Sequence, residues 1–320
     1  MRQKIVILPV QEQRDNTPFE NADETTVATA QEHGFEIVGP DDGNATAIVV
    51  VRMLDSAIIE QTLAANPQVS WVQLPFAGVE SFLPVAKRYP DVSFTSAKGS
   101  FAPPVAEHAL ALTLALLRYL PERIRATSWG ESYGTTLDGA NVLIVGAGGI
   151  GSELVRLFSN WDTHITVVRR RPDPLPGADQ TVTADQLDNV LPQANVVVLA
   201  AAATPDTRQM FGPQQFDLMD DDAVLVNIAR GNLVDTDALV SALSEGRIRS
   251  AGLDVTDPEP LPDGHPLWNE PNCIITPHTA DTPPIVIRLL DERIKRNLTS
   301  LAAGTAPDKL EGLVDTEAGY

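Results

Sequence analysis

Residues 141–151 read NVLIVGAGGIG, and this stretch decides how the chain folds. Asn141–Val145 is a short apolar run typical of a buried strand, and the glycines follow it at once. Apolar residues then recur at Leu154, Val155 and Phe158, which predicts an amphipathic helix. A strand, a tight turn and a helix form one βα unit, so we expect a parallel sheet covered by helices.

The glycine spacing G-x-G-x-x-G is typical of a turn that holds the pyrophosphate of a dinucleotide. Gly146 permits the tight turn, Gly148 lets the pyrophosphate approach the backbone, and Gly151 lets helix and strand pack closely. The anion would lie among the free N–H groups at the start of the helix. A glycine-rich turn without a ligand is the alternative, but the strand before and the helix after favour dinucleotide binding.

The rest of the chain alternates apolar runs with helix-like segments. After the glycine turn, further strands are predicted, completing a six-stranded doubly wound sheet, at 164–168, 196–200, 223–228, 250–255 and 274–276. The first hundred residues predict a second parallel sheet, with strands at 4–10, 47–51, 69–74 and 92–95 and helices at 25–33 and 56–65. A long apolar helix at 103–120 ends at Pro121, an irregular arm spans 122–138, and a final helix spans 284–303.

Composition limits the class of protein. A chain of 320 residues suggests two domains, and its net charge of −20 disfavours nucleic acid and anionic lipid as partners. The single cysteine, Cys273, excludes an intrachain disulfide and is expected to be a small core residue. The apolar run at 109–117 is too short for a membrane span, and the N-terminal apolar stretch is too short for a signal peptide. We therefore expect a cytoplasmic protein.

Three arginines follow the second strand of the dinucleotide unit. An NAD site usually has a carboxylate about 20 residues past the glycines, to hold the ribose 2′-hydroxyl. Arg169 occupies this position, 18 residues after Gly151, and is followed by Arg170 and Arg171. A guanidinium can bind a 2′-phosphate that a carboxylate would repel. The sequence therefore predicts NADP, with NAD as a second cofactor, and a solvated basic turn is the alternative.

Polar segments follow three later strands, at 227–231 (NIARG), 254–260 (DVTDPEP) and 275–280 (ITPHTA). Open α/β sheets bind ligands at the carboxyl ends of their strands. Reduction of a 2-oxo acid needs a guanidinium for the carboxylate and carbonyl, an imidazole that delivers a proton, and a carboxylate that favours the charged imidazole. Arg230, His278 and Glu259 fill these three roles. Each has a structural explanation when taken singly, and only the set points to catalysis.

The segments GAGGIG, LVNIARGNLVD, AGLDVTDPEPLPDGHPLW and ITPHTA together resemble the D-isomer-specific 2-hydroxyacid dehydrogenase family, which includes glyoxylate/hydroxypyruvate reductases. The resemblance implies that Arg230 binds substrate, that His278 is the acid/base with Glu259 as its partner, and that backbone N–H groups of Ala77 and Gly78 receive the substrate carboxylate. Asp254 would hold the nicotinamide carboxamide. The full set of implied cofactor-binding residues is Gly146, Gly148, Gly149, Ile150, Gly151, Arg169, Arg170, Ala201, Thr207, Ile228, Arg230, Asp254 and His278. No metal site is predicted.

The resemblance also implies an architecture. A Rossmann dinucleotide-binding domain, residues 99–283, would be inserted into a discontinuous flavodoxin-like substrate-binding domain, residues 1–98 and 284–320. Family members are commonly homodimers through the cofactor domain, and the arm at 122–138 would contribute.

The expected activity is D-specific reduction of a small 2-oxo acid, with NADPH preferred. The sequence leaves the substrate side chain open, because Glu80 and Ser81 replace the Asp-Asn pair usual in the family. The alternative from another class is a nucleotide-sensing binding protein or corepressor on this scaffold. A formate dehydrogenase is disfavoured because those enzymes tend to carry Gln at the position of Glu259. A phosphoglycerate dehydrogenase with a regulatory extension is disfavoured because the chain ends soon after the last helix.

Overall fold

The computed structural model describes residues 3–9, 20–317 and 319, and the chain divides into two compact units. The first unit comprises Met1–Phe101 and Thr282–Tyr320, and the second comprises Ala102–Asp281. From the sequence, the domain boundaries were expected between residues 98 and 99 and between residues 283 and 284. Which ligand each unit holds stays a prediction.

The first unit contains a five-stranded sheet in which every described pairing is parallel. Its strands are β1 (Lys4–Leu8), β2 (Glu36–Ile37), β3 (Ala47–Val50), β4 (Trp71–Gln73) and β5 (Ser93–Thr95), in the order β2-β1-β3-β4-β5. Its helices are α1 (Glu20–Glu32), α2 (Ser56–Ala65), α3 (Leu83–Arg88) and α10 (Pro283–Ala302). This strand order is that of flavodoxin-like folds. The residues of β3 and β4 are all buried, as expected for a parallel sheet covered on both faces.

The second unit begins with α4 (Ala102–Leu117) and α5 (Leu120–Arg125). Its strands are β6 (Asn141–Val145), β7 (His164–Val168), β8 (Gln180–Val182), β9 (Val196–Leu199), β10 (Val224–Asn227), β11 (Ser250–Leu253) and β12 (Cys273–Ile275). The helices between them are α6 (Gly149–Phe158), α7 (Leu187–Val190), α8 (Pro213–Leu218) and α9 (Thr236–Ser244). The parallel sheet has the order β12-β11-β10-β9-β6-β7-β8. The order reverses between β6 and β9, and such switch points are where doubly wound sheets bind ligands.

Four expectations about these elements were wrong in whole or in part. The second sheet has seven strands rather than six, because β8 is a three-residue edge strand whose first two residues are not buried and give no apolar run. The apolar helix ends at Leu117 rather than at 120, and Pro121 lies in the first turn of α5, where a missing N–H costs nothing. The arm is therefore helical up to Arg125. The strand predicted at 4–10 ends at Leu8, and Val10 lies outside the described residues.

Two composition-based expectations can be compared with the structure. Cys273 is buried, and burial raises the pKa of its thiol to about 12, which suits a core residue rather than a nucleophile. No helix within residues 3–9, 20–317 and 319 combines the length and apolarity needed to cross a bilayer.

Candidate active site

The turn after β6 passes very close to the end of β9. Gly146 has a φ of 115°, and a Cβ there would lie 2.5 Å from the Ala200 carbonyl oxygen. A Cβ on Gly151 would overlap the carbonyl oxygen of Gly146. Real Cβ atoms do not approach so closely, so both positions require glycine. The glycine spacing therefore brings the start of α6 to the switch point of the sheet.

The start of α6 has the space and the donors that a pyrophosphate needs. Gly148 is the residue before the first helical turn, and no side chain caps the free N–H groups of that turn. A Cβ on Gly148 would meet no atom within 4 Å, so the backbone faces open space here. An anion at this point gains both hydrogen bonds and the helix dipole. Gly148, Gly149, Ile150 and Gly151 thus fit a dinucleotide phosphate.

The predicted arginines follow β7, the strand beside β6. Arg169 is partly buried, its backbone N–H donates to the carbonyl of Val182 at 2.9 Å, and its Nη1 donates to the carbonyl of Asp173 at 3.1 Å. Arg170 and Arg171 are exposed. The Arg169 guanidinium is thus held against its own turn, and two further arginines follow it on the surface.

The other predicted cofactor contacts lie at the ends of β9 and β10. Ala201 is partly buried after β9, and Ile228 is buried after β10. The Thr207 hydroxyl donates to the carbonyl of Ala202 at 2.8 Å and accepts from the N–H of Thr204 at 2.8 Å. The hydroxyl hydrogen of Thr207 is therefore already used in a hydrogen bond within its own loop.

Arg230 lies in a loop that Asn227 holds together. Buried Asn227 accepts from the N–H of Ala229 at 3.0 Å and donates to the carbonyl of Arg230 at 2.9 Å. The Arg230 Nη1 donates to the carbonyl of Ala229 at 2.7 Å. Asn227 was quoted in the NIARG segment without a role, because its role depends on hydrogen bonds that a sequence pattern does not show.

Gly231 brings the Arg230 loop against the segment that carries Glu259. A Cβ on Gly231 would overlap the carbonyl of Thr256, so the two loops meet at backbone distance. Thr236 also links them, since its hydroxyl donates to the carbonyl of Asp257 at 2.6 Å. Two of the three predicted polar segments are therefore in contact.

Glu259 and His278 form a hydrogen-bonded pair. The distance from His278 Nδ1 to Glu259 Oε1 is 2.7 Å, and both side chains are 42% exposed. Within the described residues no hydrogen bond uses His278 Nε2, so that nitrogen can meet a ligand. His278 has a φ of 51°, a conformation that costs energy for a residue with a Cβ and that often marks functional positions.

Asp254 accepts a backbone hydrogen bond from the N–H of His278 at 2.9 Å and is almost completely buried. It accepts from the Thr276 hydroxyl at 2.5 Å and from the N–H groups of Thr279 at 2.9 Å and Ala280 at 3.1 Å. Burial opposes the negative charge, but hydrogen bonds from His108, Thr276 and these two backbone groups hold the pKa of Asp254 below its ordinary value. Asp254 is thus a buried carboxylate that keeps its charge.

Asp281 was missed by the sequence analysis. Burial raises its pKa, an effect that the nearby charges of His278 and Arg230 oppose and that of Asp254 reinforces. These interactions place Asp281 near the catalytic candidates. The signal was present in the sequence as an acid three residues after His278, but only the fold shows that it lies close to Arg230.

Ala77 and Gly78 follow β4 in the first unit, at the carboxyl end of its sheet. The adjoining Phe76 carbonyl accepts from the N–H of Ala97 at 3.0 Å, which anchors the loop. No hydrogen bond among the described residues uses the N–H of Ala77 or Gly78. These two donors are therefore available to an anion.

Comparisons with known proteins agree on one family. Residues 109–280 match the family described as D-isomer specific 2-hydroxyacid dehydrogenase, NAD binding domain. An uncharacterized protein from the proB 3′ region of Corynebacterium melassecola is 37% identical over 79% of this chain and 84% of its own length. The human glyoxylate reductase/hydroxypyruvate reductase is 36% identical over 65% of this chain and 63% of its own length.

A solved structure extends the match to nearly the whole chain. The D-isomer specific 2-hydroxyacid dehydrogenase family protein from Aeromonas salmonicida superposes with a TM-score of 0.78 at 27% identity, over 99% of this chain and 100% of its own. The chain therefore belongs to the D-isomer specific 2-hydroxyacid dehydrogenase family, a class of NAD(P)-dependent oxidoreductases. Both of its sheets are the parallel α/β type expected from the sequence.

Proposed function

We propose that the protein reduces a small 2-oxo acid of the glyoxylate or hydroxypyruvate kind to the D-2-hydroxy acid, with NADPH as the preferred cofactor. The observation that carries the proposal is the Glu259–His278 pair, whose Oε1 and Nδ1 atoms lie 2.7 Å apart, with Asp281 of the His278 segment close to the charge of Arg230. The relatives named glyoxylate reductase/hydroxypyruvate reductase support this choice of substrate.

Arg230 is the proposed substrate-binding cation. Its planar guanidinium can pair with a carboxylate through two parallel hydrogen bonds and can polarise the neighbouring carbonyl. The N–H groups of Ala77 and Gly78 are the proposed second anchor for the substrate carboxylate. Asn227 bonds the N–H of Ala229 and the carbonyl of Arg230, so the backbone that carries the guanidinium is held in place.

His278 is the proposed acid/base. A bound nicotinamide would supply the hydride. The Nε2 atom of His278 donates a proton as the alkoxide forms, while Glu259 on Nδ1 stabilises the charged imidazole. In the reverse direction the neutral imidazole accepts the proton of the hydroxyl group.

Asp254 is the proposed partner of the nicotinamide carboxamide. Its Oδ1 atom already receives the Thr276 hydroxyl and the Thr279 N–H, whereas within the described part of the chain Oδ2 receives only the Ala280 N–H. A carboxylate oxygen can accept two hydrogen bonds, so Oδ2 retains one acceptor position.

The arginines after β7 support a preference for NADPH. Arg169, Arg170 and Arg171 replace the carboxylate that would mark an NAD site, in a chain whose net charge is −20. A local cluster of positive charge in so acidic a protein favours an anion site, and a 2′-phosphate supplies about two negative charges by analogy with other phosphate monoesters. The proposed cofactor contacts at Ala201, Thr207 and Ile228 lie at the ends of the neighbouring strands β9 and β10.

We further propose a cytoplasmic homodimer. The arm after α4 carries Ile124 and Trp129, whose side chains are 79% and 98% exposed. Large apolar side chains on a monomer surface favour an interface. Equilibrium sedimentation of the purified protein would test this assignment, and a monomer at micromolar concentration would contradict it.

A panel of 2-oxo acids, each tested with NADPH and NADH, is the direct test of the proposed function. Consumption of the cofactor should require the 2-oxo acid, and chiral chromatography of the product should give the D-isomer. A nucleotide-sensing binding protein would bind the cofactor and turn over none of the panel, which would overturn the proposal.

A further inference from the structure

A second histidine contacts the segment that carries His278. His108, on the second turn of α4, has its Nε2 atom 3.0 Å from the Thr276 hydroxyl and 3.3 Å from Oδ1 of Asp254. We propose that His108 is a positioning residue that orients the segment carrying His278, acting through Thr276 and Asp254. Its effect on rate rests on the proposed function, whereas its effect on the segment does not.

The hydrogen-bond donors in this group can be assigned by counting hydrogens. The Thr276 hydroxyl has one hydrogen, and its 2.5 Å contact with the Asp254 carboxylate takes it. Toward His108 the Thr276 oxygen must then accept, so Nε2 of His108 carries the hydrogen. The neutral tautomer with a protonated Nε2 is sufficient for this arrangement.

His108 also decides between two partners of the Thr276 hydroxyl. The same hydroxyl lies 3.4 Å from the carbonyl of Leu253, which is a weaker alternative acceptor. An N–H donor from His108 occupies a lone pair of the Thr276 oxygen and leaves its hydrogen directed at Asp254. Without that donor the Thr276 hydroxyl can rotate toward Leu253. The Asp254 carboxylate then loses both the Thr276 hydroxyl and the His108 N–H as donors.

Asp254 in turn holds three consecutive residues, 278–280, through hydrogen bonds. Its carbonyl accepts from the N–H of His278 at 2.9 Å, and its carboxylate accepts from the N–H groups of Thr279 and Ala280. His278 is held in a left-handed conformation that local preferences oppose. The hydrogen bonds to Asp254 are therefore what keeps the imidazole beside Glu259, and His108 stabilises the acceptor that makes them.

Three variants test this chain of contacts. His108→Leu removes the donor, and His108→Gln offers an amide N–H in its place. Thr276→Val removes the hydroxyl with little change of shape. His164→Gln is the matched control, because His164 is an exposed histidine on β7 in the same unit.

The first readout is NMR of the histidine side chains and of the backbone amides at 278–280, without substrate. His108→Leu should shift the His278 imidazole and these amides, Thr276→Val should shift the same signals, and His164→Gln should leave them in place. Unmoved His278 signals in a folded His108→Leu protein would overturn the proposal even if the protein reduces no 2-oxo acid.

The second readout is kinetic. His108→Leu should lower kcat by roughly 10- to 100-fold, the size of effect that a small misplacement of a catalytic group produces, while KM for the 2-oxo acid stays near the parent value. His108→Gln should recover most of kcat, and the double variant with Thr276→Val should lose no more than the larger single loss, because both act through one path. Additive losses, or parent kcat in His108→Leu, would contradict the proposal. If His108→Leu does not fold, His108→Gln and Thr276→Val decide by the same criteria.

Discussion

The Nδ1 atom of His278 lies 2.7 Å from Oε1 of Glu259, and no hydrogen bond within the described residues uses the other ring nitrogen, Nε2. His278→Ala should therefore lower kcat by roughly 10²–10⁴-fold, the usual contribution of a positioned acid/base. Glu259→Gln keeps an acceptor for Nδ1–H but removes the negative charge. It should cost less than His278→Ala in both directions, because Glu259 stabilises an imidazole that is charged before proton transfer in reduction and after it in oxidation.

Steady-state rates in both directions measure these effects. Glu270→Gln provides the control, since Glu270 is another carboxylate of the same unit. Parent rates in both directions for Glu259→Gln would remove charge stabilisation from the role of Glu259.

Gly231→Ala tests the contact between the Arg230 loop and the Glu259 loop. The added methyl group would overlap the Thr256 carbonyl, and overpacking of this kind costs about 1–3 kcal/mol of stability. Relief of the overlap must move one of the loops, so kcat/KM should also fall in the protein that remains folded. Thermal unfolding and kinetics measure the two effects.

Gly212→Ala is the matched control for this substitution, because a Cβ there meets its nearest atoms at 3.8 Å, an ordinary contact. If Gly231→Ala behaved like Gly212→Ala, the two loops would not be in backbone contact.

Asp281→Asn tests the half-buried carboxyl near Arg230. Burial raises the pKa of Asp281 in the folded protein. A raised pKa means that this carboxyl favours folding at low pH and loses that contribution as pH rises through its folded-state pKa. Asp281→Asn should therefore raise Tm relative to the parent at pH 7, and the difference should disappear below about pH 4, the ordinary range of an aspartate.

Scanning calorimetry of both proteins across pH 3.5–7 measures this difference, with the exposed Asp263→Asn as control. A lower Tm for Asp281→Asn at pH 7 would show that the negative charge is stabilising, which contradicts the assigned cause.

Arg169→Asp tests cofactor choice. Hydrogen bonds to charged groups contribute about 1.5–3 kcal/mol each, and exposed arginines should reach the lower part of that range because water and salt screen them. One or two such contacts give NADPH an advantage over NADH of roughly ten- to several-hundred-fold in kcat/KM. Arg169→Asp should narrow or reverse this advantage, and added salt should reduce it in the parent.

The control is Arg88→Asp, which makes the same change of charge in the first unit, where Arg88 pairs with Glu60. Equal kcat/KM for the two cofactors in the parent would show that the arginines form only a solvated turn.

The fold was predictable where local sequence decides it. An apolar run followed by G-x-G-x-x-G specifies β6, its turn and α6 without reference to the rest of the chain. The edge strand β8 was missed because Gln180 and Thr181 are not buried and give no apolar signal. Pro121 was interpreted as the end of a helix. Proline suits the first turn of the next helix equally well, and the sequence alone does not distinguish the two positions.

The site shows the same division. The prediction included Arg230, Glu259 and His278, because each lies in a recognisable sequence motif. His108 was not, because its partner Thr276 is 168 residues away and only the packing of α4 brings them together. Asn227 and Asp281 were missed for the same reason, since their roles come from hydrogen bonds and charges across loops.

The most direct test of the proposed function is the rate of NADPH oxidation with glyoxylate and with hydroxypyruvate, for the parent protein and for Arg230→Lys. We expect turnover by the parent that depends on the 2-oxo acid. For Arg230→Lys we expect a higher KM and a lower kcat, with a loss of roughly tenfold or more in kcat/KM, because a point charge cannot reproduce the guanidinium fork. Bound cofactor without turnover in the parent, or parent kinetics in Arg230→Lys, would overturn the proposed function.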